Sequence, residues 1–137
     1  MKASNIFSNS EPLKCFNCGK ALMENIGTSM VLIATNKENR ITKFHVCCKG
    51  ECDDTLKSQF TFDESDGWQE LSDFFNPYFF IKYIMAIMNN MYEGNGFANK
   101  EAFESFKDVI IKCYPYVTRD LSEAEKANVE FANMLPF

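Results

Sequence analysis

Two stretches decide the fold: Cys15-Phe16-Asn17-Cys18-Gly19 near the start of the chain, and His45-Val46-Cys47-Cys48-Lys49-Gly50-Glu51-Cys52 further along. The first has the C-x-x-C spacing by which two thiolates grip one metal ion. In the second, two cysteines four residues apart fall on one face of a helical turn. Thiolates are the ligands that tetrahedral zinc prefers. The pattern therefore predicts one structural Zn²⁺ per chain, bound by Cys15, Cys18, Cys48 and Cys52.

Because Cys47 and Cys48 are adjacent, the spacing alone does not identify which of them binds the metal. Side chains alternate along a strand, so Phe44, Val46 and Cys48 share a face, and the apolar pair indicates that this face points inward. Cys47 would then point the other way. Cys48 is accordingly the expected ligand, with Cys47 or His45 as the alternatives.

The segments around these cysteines favour a β-hairpin followed by a helix. Residues 28–35 and 41–47 are rich in β-forming side chains and flank a polar loop at 36–40. Beyond Cys52 the chain has helical character, and its early acidic residues suit a helix N-terminus.

A C-x-x-C-G knuckle, a hairpin and a strand that enters C-x-x-x-C at a helix start together resemble a treble-clef zinc finger. Residues 44–52 resemble in particular the F-C-S-x-E-C end of TRASH/MYM-type fingers. The resemblance covers residues 12–60 and implies a structural zinc ion held by two cysteines from each half. A fold resemblance does not carry a function with it.

The second half of the chain has the spacing of helices. A short helix is predicted over Asp66–Phe75, and a second is capped by Asn76 and runs from Pro77 to about Glu93. The second is apolar on nearly every face, so we expect it to be central and covered by neighbours. Two further helices are predicted: Lys100–Cys113, capped by Asn99, closed by Pro115 and with Cys113 as a core thiol, and a last helix opened by Ser122 and Glu125.

These elements predict an α+β fold, in which a small zinc-bound hairpin unit packs with three to four helices. The expected organisation is a treble-clef-like unit at 12–60, an acidic linker at 61–68 and a helical subdomain at 69–137. The first 14 residues lack the apolar core of a secretory signal, which favours a reducing cytoplasm.

Charge and missing motifs exclude several classes of function. The net charge is −5, and residues 61–137 carry thirteen acidic against six basic side chains, so direct nucleic-acid binding is not expected. No apolar run is long enough to span a membrane. Four cysteine ligands would leave no open zinc position, and there is no phosphate-binding glycine motif and no H-x-E of a deaminase.

The sequence thus predicts a non-enzymatic zinc-binding adaptor with an unidentified protein partner. The alternative is an acidic inhibitor or decoy, encoded by a mobile element, that blocks a basic nucleic-acid-binding face of another protein. Glu101, Glu104 and Asp108 would share an acidic helix face, which is either an ordinary solvated surface or the complement of a basic partner surface.

Overall fold

Strand β1 (Ser29–Thr35) lies at the centre of a three-stranded antiparallel sheet, with β2 (Ile41–Cys48) and β3 (Ser65–Glu70) on either side. The structure is a computed structural model that describes residues 11–117. The predicted hairpin is confirmed as β1 and β2. Its loop is closed by the Asn36 side chain, whose Oδ1 accepts hydrogen bonds from the backbone N–H groups of Glu38 and Arg40.

The short helix predicted over Asp66–Phe75 is wrong. Residues 65–70, which include part of the predicted acidic linker, form β3, and only Leu71–Phe75 is helical, as a 3-10 helix. The free edge of β1 decides this, because β3 satisfies the backbone groups along it. Gly67 and Trp68 have weak helix propensity, so little opposes the extended form.

Three α-helices lie among the described residues: α1 (Glu51–Lys57), α2 (Pro77–Tyr92) and α3 (Lys100–Val117). A 3-10 helix at Met23–Thr28 precedes β1. Strands and helices together confirm the α+β class. The predicted caps are also present, since Asn76 Oδ1 accepts from Tyr78 N–H at 2.9 Å and Asn99 Oδ1 from Ala102 N–H at 2.8 Å. None of the helices in 11–117 is long and apolar enough to cross a membrane.

Aromatic side chains join the sheet to the helices. Phe44 on β2 makes an edge-to-face contact with Phe106 on α3, with ring centroids 5.5 Å apart. The end of α3 lies beside the start of α2, where Tyr114 contacts Phe80 with ring centroids 5.9 Å apart. The core is therefore shared between the cysteine-rich half and the helical half.

Helix α3 continues past the predicted end at Cys113 and includes Pro115. Pro115 lacks the N–H that would donate to the Ile111 carbonyl, so the last turn forms one helical hydrogen bond fewer. Tyr116 also contacts Phe75, which helps to hold this turn in place. Cys113 is fully buried, as predicted for a core thiol. The helix predicted from Ser122 lies outside the described residues.

The expectation that α2 is covered on nearly every face is wrong for the described residues. Phe80 and Ile87 are its only buried side chains there. The opposite side exposes five large apolar residues: Tyr78, Ile81, Met85, Met88 and Tyr92. Met91 is also exposed, but it lies one turn after Ile87 on the same side and faces Gly96. Apolar periodicity shows which residues avoid water, but it does not identify the surface that covers them.

Candidate metal centre

The first cysteine pair is held by a tight turn. Cys15 N–H donates to the Lys20 carbonyl at 2.8 Å, and Gly19 N–H donates to the Cys15 carbonyl at 2.9 Å. Gly19 has φ +78°, a left-handed conformation that a side chain disfavours. The turn brings Cys18 N–H to 3.4 Å from Cys15 Sγ. Glycine at this position therefore shapes the knuckle that the C-x-x-C spacing predicts.

Strand β2 anchors this knuckle. Phe16 N–H donates to the Val46 carbonyl at 2.8 Å, and the Phe16 ring stacks on the His45 imidazole with centroids 3.8 Å apart. Cys48 N–H in turn lies 3.5 Å from Cys15 Sγ. The end of β2 thus meets the knuckle directly, although more than twenty residues separate them in sequence.

A second turn leads from β2 into α1 and places Cys52. Gly50 has φ +93°, and its N–H donates a hydrogen bond to the Asp53 carboxylate. Asp53 is buried and is also paired with Lys57 at 3.1 Å. Because α1 begins at Glu51, Cys52 occupies its first turn and faces back toward the knuckle.

The structure brings together the sulfur atoms of Cys15, Cys18, Cys48 and Cys52, all within 4.8 Å of one another. Cys18 Sγ and Cys48 Sγ are 3.9 Å apart. Zinc–sulfur bonds of about 2.3 Å in a tetrahedron require sulfur separations of about 3.8 Å. The cluster therefore fits one tetrahedral ion with only small side-chain adjustments.

The charges of the cluster also favour a cation. Burial raises the pKa of Cys15, but hydrogen bonds from the backbone N–H groups of Cys18, Cys48 and Asn17 outweigh it and lower the pKa to about 7. Burial and the neighbouring Cys15 and Cys18 sulfurs raise the pKa of Cys48 to about 12. The Cys15 thiolate is thus readily formed, and its negative charge disfavours ionisation of Cys48. A divalent metal removes that opposition, because it stabilises all of the thiolates together.

The other candidate ligands lie outside this group. Cys47 is fully buried on the opposite face of β2, and burial raises its pKa to about 12. His45 is held against Phe16, and burial and Lys43 lower its pKa. Strand alternation therefore separates Cys48 from Cys47. The expectation that the face with Val46 and Cys48 is the inner one is wrong, because Cys47 is fully buried whereas Val46 and Cys48 are only partly buried. No histidine or carboxylate joins the four cysteines among residues 11–117.

The acidic side chains of the described chain form no comparable site. Glu64, with its side chain almost fully buried, accepts hydrogen bonds from Thr42 and Lys43, and Asp63 pairs with Lys37 at 3.0 Å. On α3, Glu104 pairs with Lys107 at 3.3 Å and Asp108 with Lys112 at 2.9 Å. These acids alternate with bases, so much of their charge is neutralised locally.

An open groove of about 550 Å³ lies where the hairpin meets the start of α3. Its lining combines basic, amide and apolar side chains with two glycines: Arg40, Met91, Gly94, Gly96, Phe97, Asn99, Lys100 and Phe103. Among these lining residues, Arg40 and Lys100 carry the only ionisable side chains, and both are basic.

Comparisons with known proteins give no match: no protein-family model, no curated protein and no solved structure is similar to this chain. The treble-clef resemblance therefore depends on the residues of this chain alone. Its knuckle, hairpin, strand end and helix start are all present in the stated order.

Proposed function

We propose that this protein is a non-enzymatic interaction protein whose cysteine-rich half is held together by one structural zinc ion. The observation that carries the proposal is the convergence of four cysteine sulfurs within 4.8 Å of one another. Cys15, Cys18, Cys48 and Cys52 would be the ligands, in a treble-clef arrangement of the TRASH/MYM kind.

A structural role follows from the number and type of the ligands. Four sulfurs complete a tetrahedron, which leaves no position for a substrate or an activated water. The ion would join the knuckle, the end of β2 and the first turn of α1. Because the unfolded chain offers no such site, metal binding would contribute directly to folding, by about 10–16 kcal/mol in comparable small zinc units.

An interaction role is supported by the surface. The outer side of α2 presents five large apolar side chains, and large exposed apolar patches mark interaction sites. The net charge of −5 argues against direct nucleic-acid binding and is compatible with a basic partner. Four reduced thiolates require a reducing compartment, which agrees with a cytoplasmic location.

The two neighbouring cysteines provide the test. We expect about one zinc per chain in the native protein and in Cys47→Ser, but a large loss of zinc in Cys48→Ser. Metal content of the purified proteins, measured by mass spectrometry, gives the answer. Cys47→Ser is the matched control, because it places a hydroxyl in the core and should cost about 1–3 kcal/mol without releasing the ion.

One result would overturn the proposal, and another would correct its ligand assignment. Native protein purified under reducing conditions without bound zinc, and unable to take it up, would remove the metal centre. If instead Cys47→Ser released zinc while Cys48→Ser retained it, the metal centre would stand but the assigned ligand would be wrong.

A further inference from the structure

Helix α2 has two apolar sides. Its inner side packs against the rest of the protein through Phe80, Tyr83 and Ile87. Its outer stripe consists of exposed residues at alternating spacings of three and four: Tyr78, Ile81, Met85, Met88 and Tyr92. That spacing is the a/d repeat by which one helix packs against another along its length. The outer stripe therefore has the geometry of a helix–helix interface.

The size of this surface matches a dimer interface. Tyr78 is 81% exposed and Tyr92 is 93% exposed, and the residues between them are about half exposed. Together the five present on the order of 700 Å² of surface, taking about 200 Å² for each large side chain when fully exposed and applying these exposed fractions. A standard protein interface buries about 800 Å² per partner. This one helix face could thus supply a complete interface.

The polar residues of α2 favour self-association over a partner chosen by charge. Lys82 is the only charged residue in its sixteen positions, so two copies would meet with little repulsion. An uncharged stripe also offers no electrostatic basis for selecting a different protein. In a two-fold arrangement both subunits use the same patch, so the stripe of one chain packs against the identical stripe of its partner.

We infer that the outer stripe of α2 is the contact surface of a homodimer, with α2 of one chain packed along α2 of its partner. The inference deepens the proposed interaction role, and rests on it, by naming a second copy of this chain as the partner. The two metal centres lie outside the contact, since the cysteine cluster is formed by β2, α1 and the knuckle.

Sedimentation of the full-length, zinc-loaded chain over about a hundredfold range of concentration is the first test. We expect a reversible dimer. Met85→Glu should raise its dissociation constant by about 100-fold or more, because symmetry buries two carboxylates at the contact. Phe62→Glu is the matched control. It places the same charge on an apolar side chain that is 94% exposed and lies off the stripe, so its dimer should be unchanged.

Photo-crosslinking then identifies the contact. Benzoylphenylalanine in place of Met85 should yield a covalent dimer on illumination, and the same group in place of Phe62 should not. A chain that is monomeric at every concentration overturns the inference. So does a crosslink from position 85 to residues 118–137 of the same chain, or to a different protein in the native host. A crosslink to a different protein would contradict the homodimer but would leave the proposed interaction role intact. Zinc content is a separate measurement, which tests only the metal centre.

Discussion

The cysteine-rich half and helix α2 are stabilised in different ways. In the first, polar and sulfur atoms meet at defined points, such as the four clustered sulfurs, the Gly50–Asp53 turn and the Phe16–Val46 hydrogen bond. Helix α2, by contrast, has a polar cap at Asn76 but packs against the rest of the described chain through apolar side chains, and its outer stripe faces outward. Directional contacts specify a geometry within one chain, whereas apolar burial leaves the identity of the covering surface open.

This difference explains why the two regions tolerate different changes. A metal centre depends on each ligand separately, because one missing thiolate opens the coordination shell. An apolar helix face depends on total area, so one methionine can replace another side chain of similar volume at little cost. Changes in the cysteine-rich half should consequently have the sharper effects.

Metal removal should give the largest effect. A strong chelator is expected to abolish the protection of β2 and α1 from hydrogen exchange, because the zinc ion would contribute about 10–16 kcal/mol to holding them. Helices α2 and α3 should retain more protection, since they contact each other through Phe80 and Tyr114. Hydrogen-exchange mass spectrometry, with and without the chelator, measures both regions in one experiment.

Cys113→Ser is the control for this experiment. The residue is a buried cysteine outside the cluster, so the variant should be less stable but should respond to the chelator like the native chain. Equal protection of β2 and α1 before and after complete metal removal would show that the region folds without zinc.

Local sequence signals were enough to predict much of the cysteine-rich half and the starts of helices α2 and α3. The C-x-x-C-G turn, strand alternation at Cys47 and Cys48, and the caps at Asn76 and Asn99 each depend on neighbouring residues. The same is true of the β1–β2 hairpin. These features could be predicted because their physical causes lie within a few residues of one another.

The features that were missed depend on distant partners. Residues 66–70 became strand β3 because β1, more than thirty residues earlier, has an edge to satisfy. The buried position of Glu64 depends on hydrogen bonds from Thr42 and Lys43 of β2, which no local sequence pattern predicts. The exposed side of α2 likewise depends on which elements pack against it. Tertiary context overrides local preference in each case.

Protonation of Glu64 should have an intermediate effect. Burial raises its pKa, but hydrogen bonds from Lys43, Thr42 and the Thr61 backbone lower it further, from an ordinary 4.5 to about 2. Because the folded pKa lies below the unfolded one, the stabilisation is complete above pH 4.5 and is lost as the pH falls toward 2. Glu64→Gln should cost about 2 kcal/mol at pH 7, and its difference from the native chain should shrink over that window.

Urea unfolding at a series of pH values measures this difference. Glu101→Gln removes an equal charge from an exposed position at the start of α3, and it should leave the native pH dependence nearly unchanged. If Glu64→Gln is as stable as the native chain at pH 7, the hydrogen bonds that Glu64 accepts from Thr42 and Lys43 contribute little to stability, and the contrast between the two regions is weaker than we expect.

The acidic residues of α3 should give the smallest effect. Glu104 and Asp108 pair with Lys107 and Lys112 one turn away, and both carboxylates are about half exposed. Exposed ion pairs of this kind contribute about 0.2–1 kcal/mol, and salt screens them. The double variant Glu104→Gln/Asp108→Asn should therefore change the urea midpoint only slightly.

The same variant separates a solvated helix surface from a docking face for a basic protein. With lysines interleaved, the face carries little net charge, so we expect the variant to alter the association rate with any isolated basic partner by less than about threefold at physiological salt. Stopped-flow measurements at low and high salt would test this. A steep salt dependence that disappears in the variant would show that α3 steers a partner, and directional polar contacts would then govern binding in the helical half as they govern folding in the cysteine-rich half.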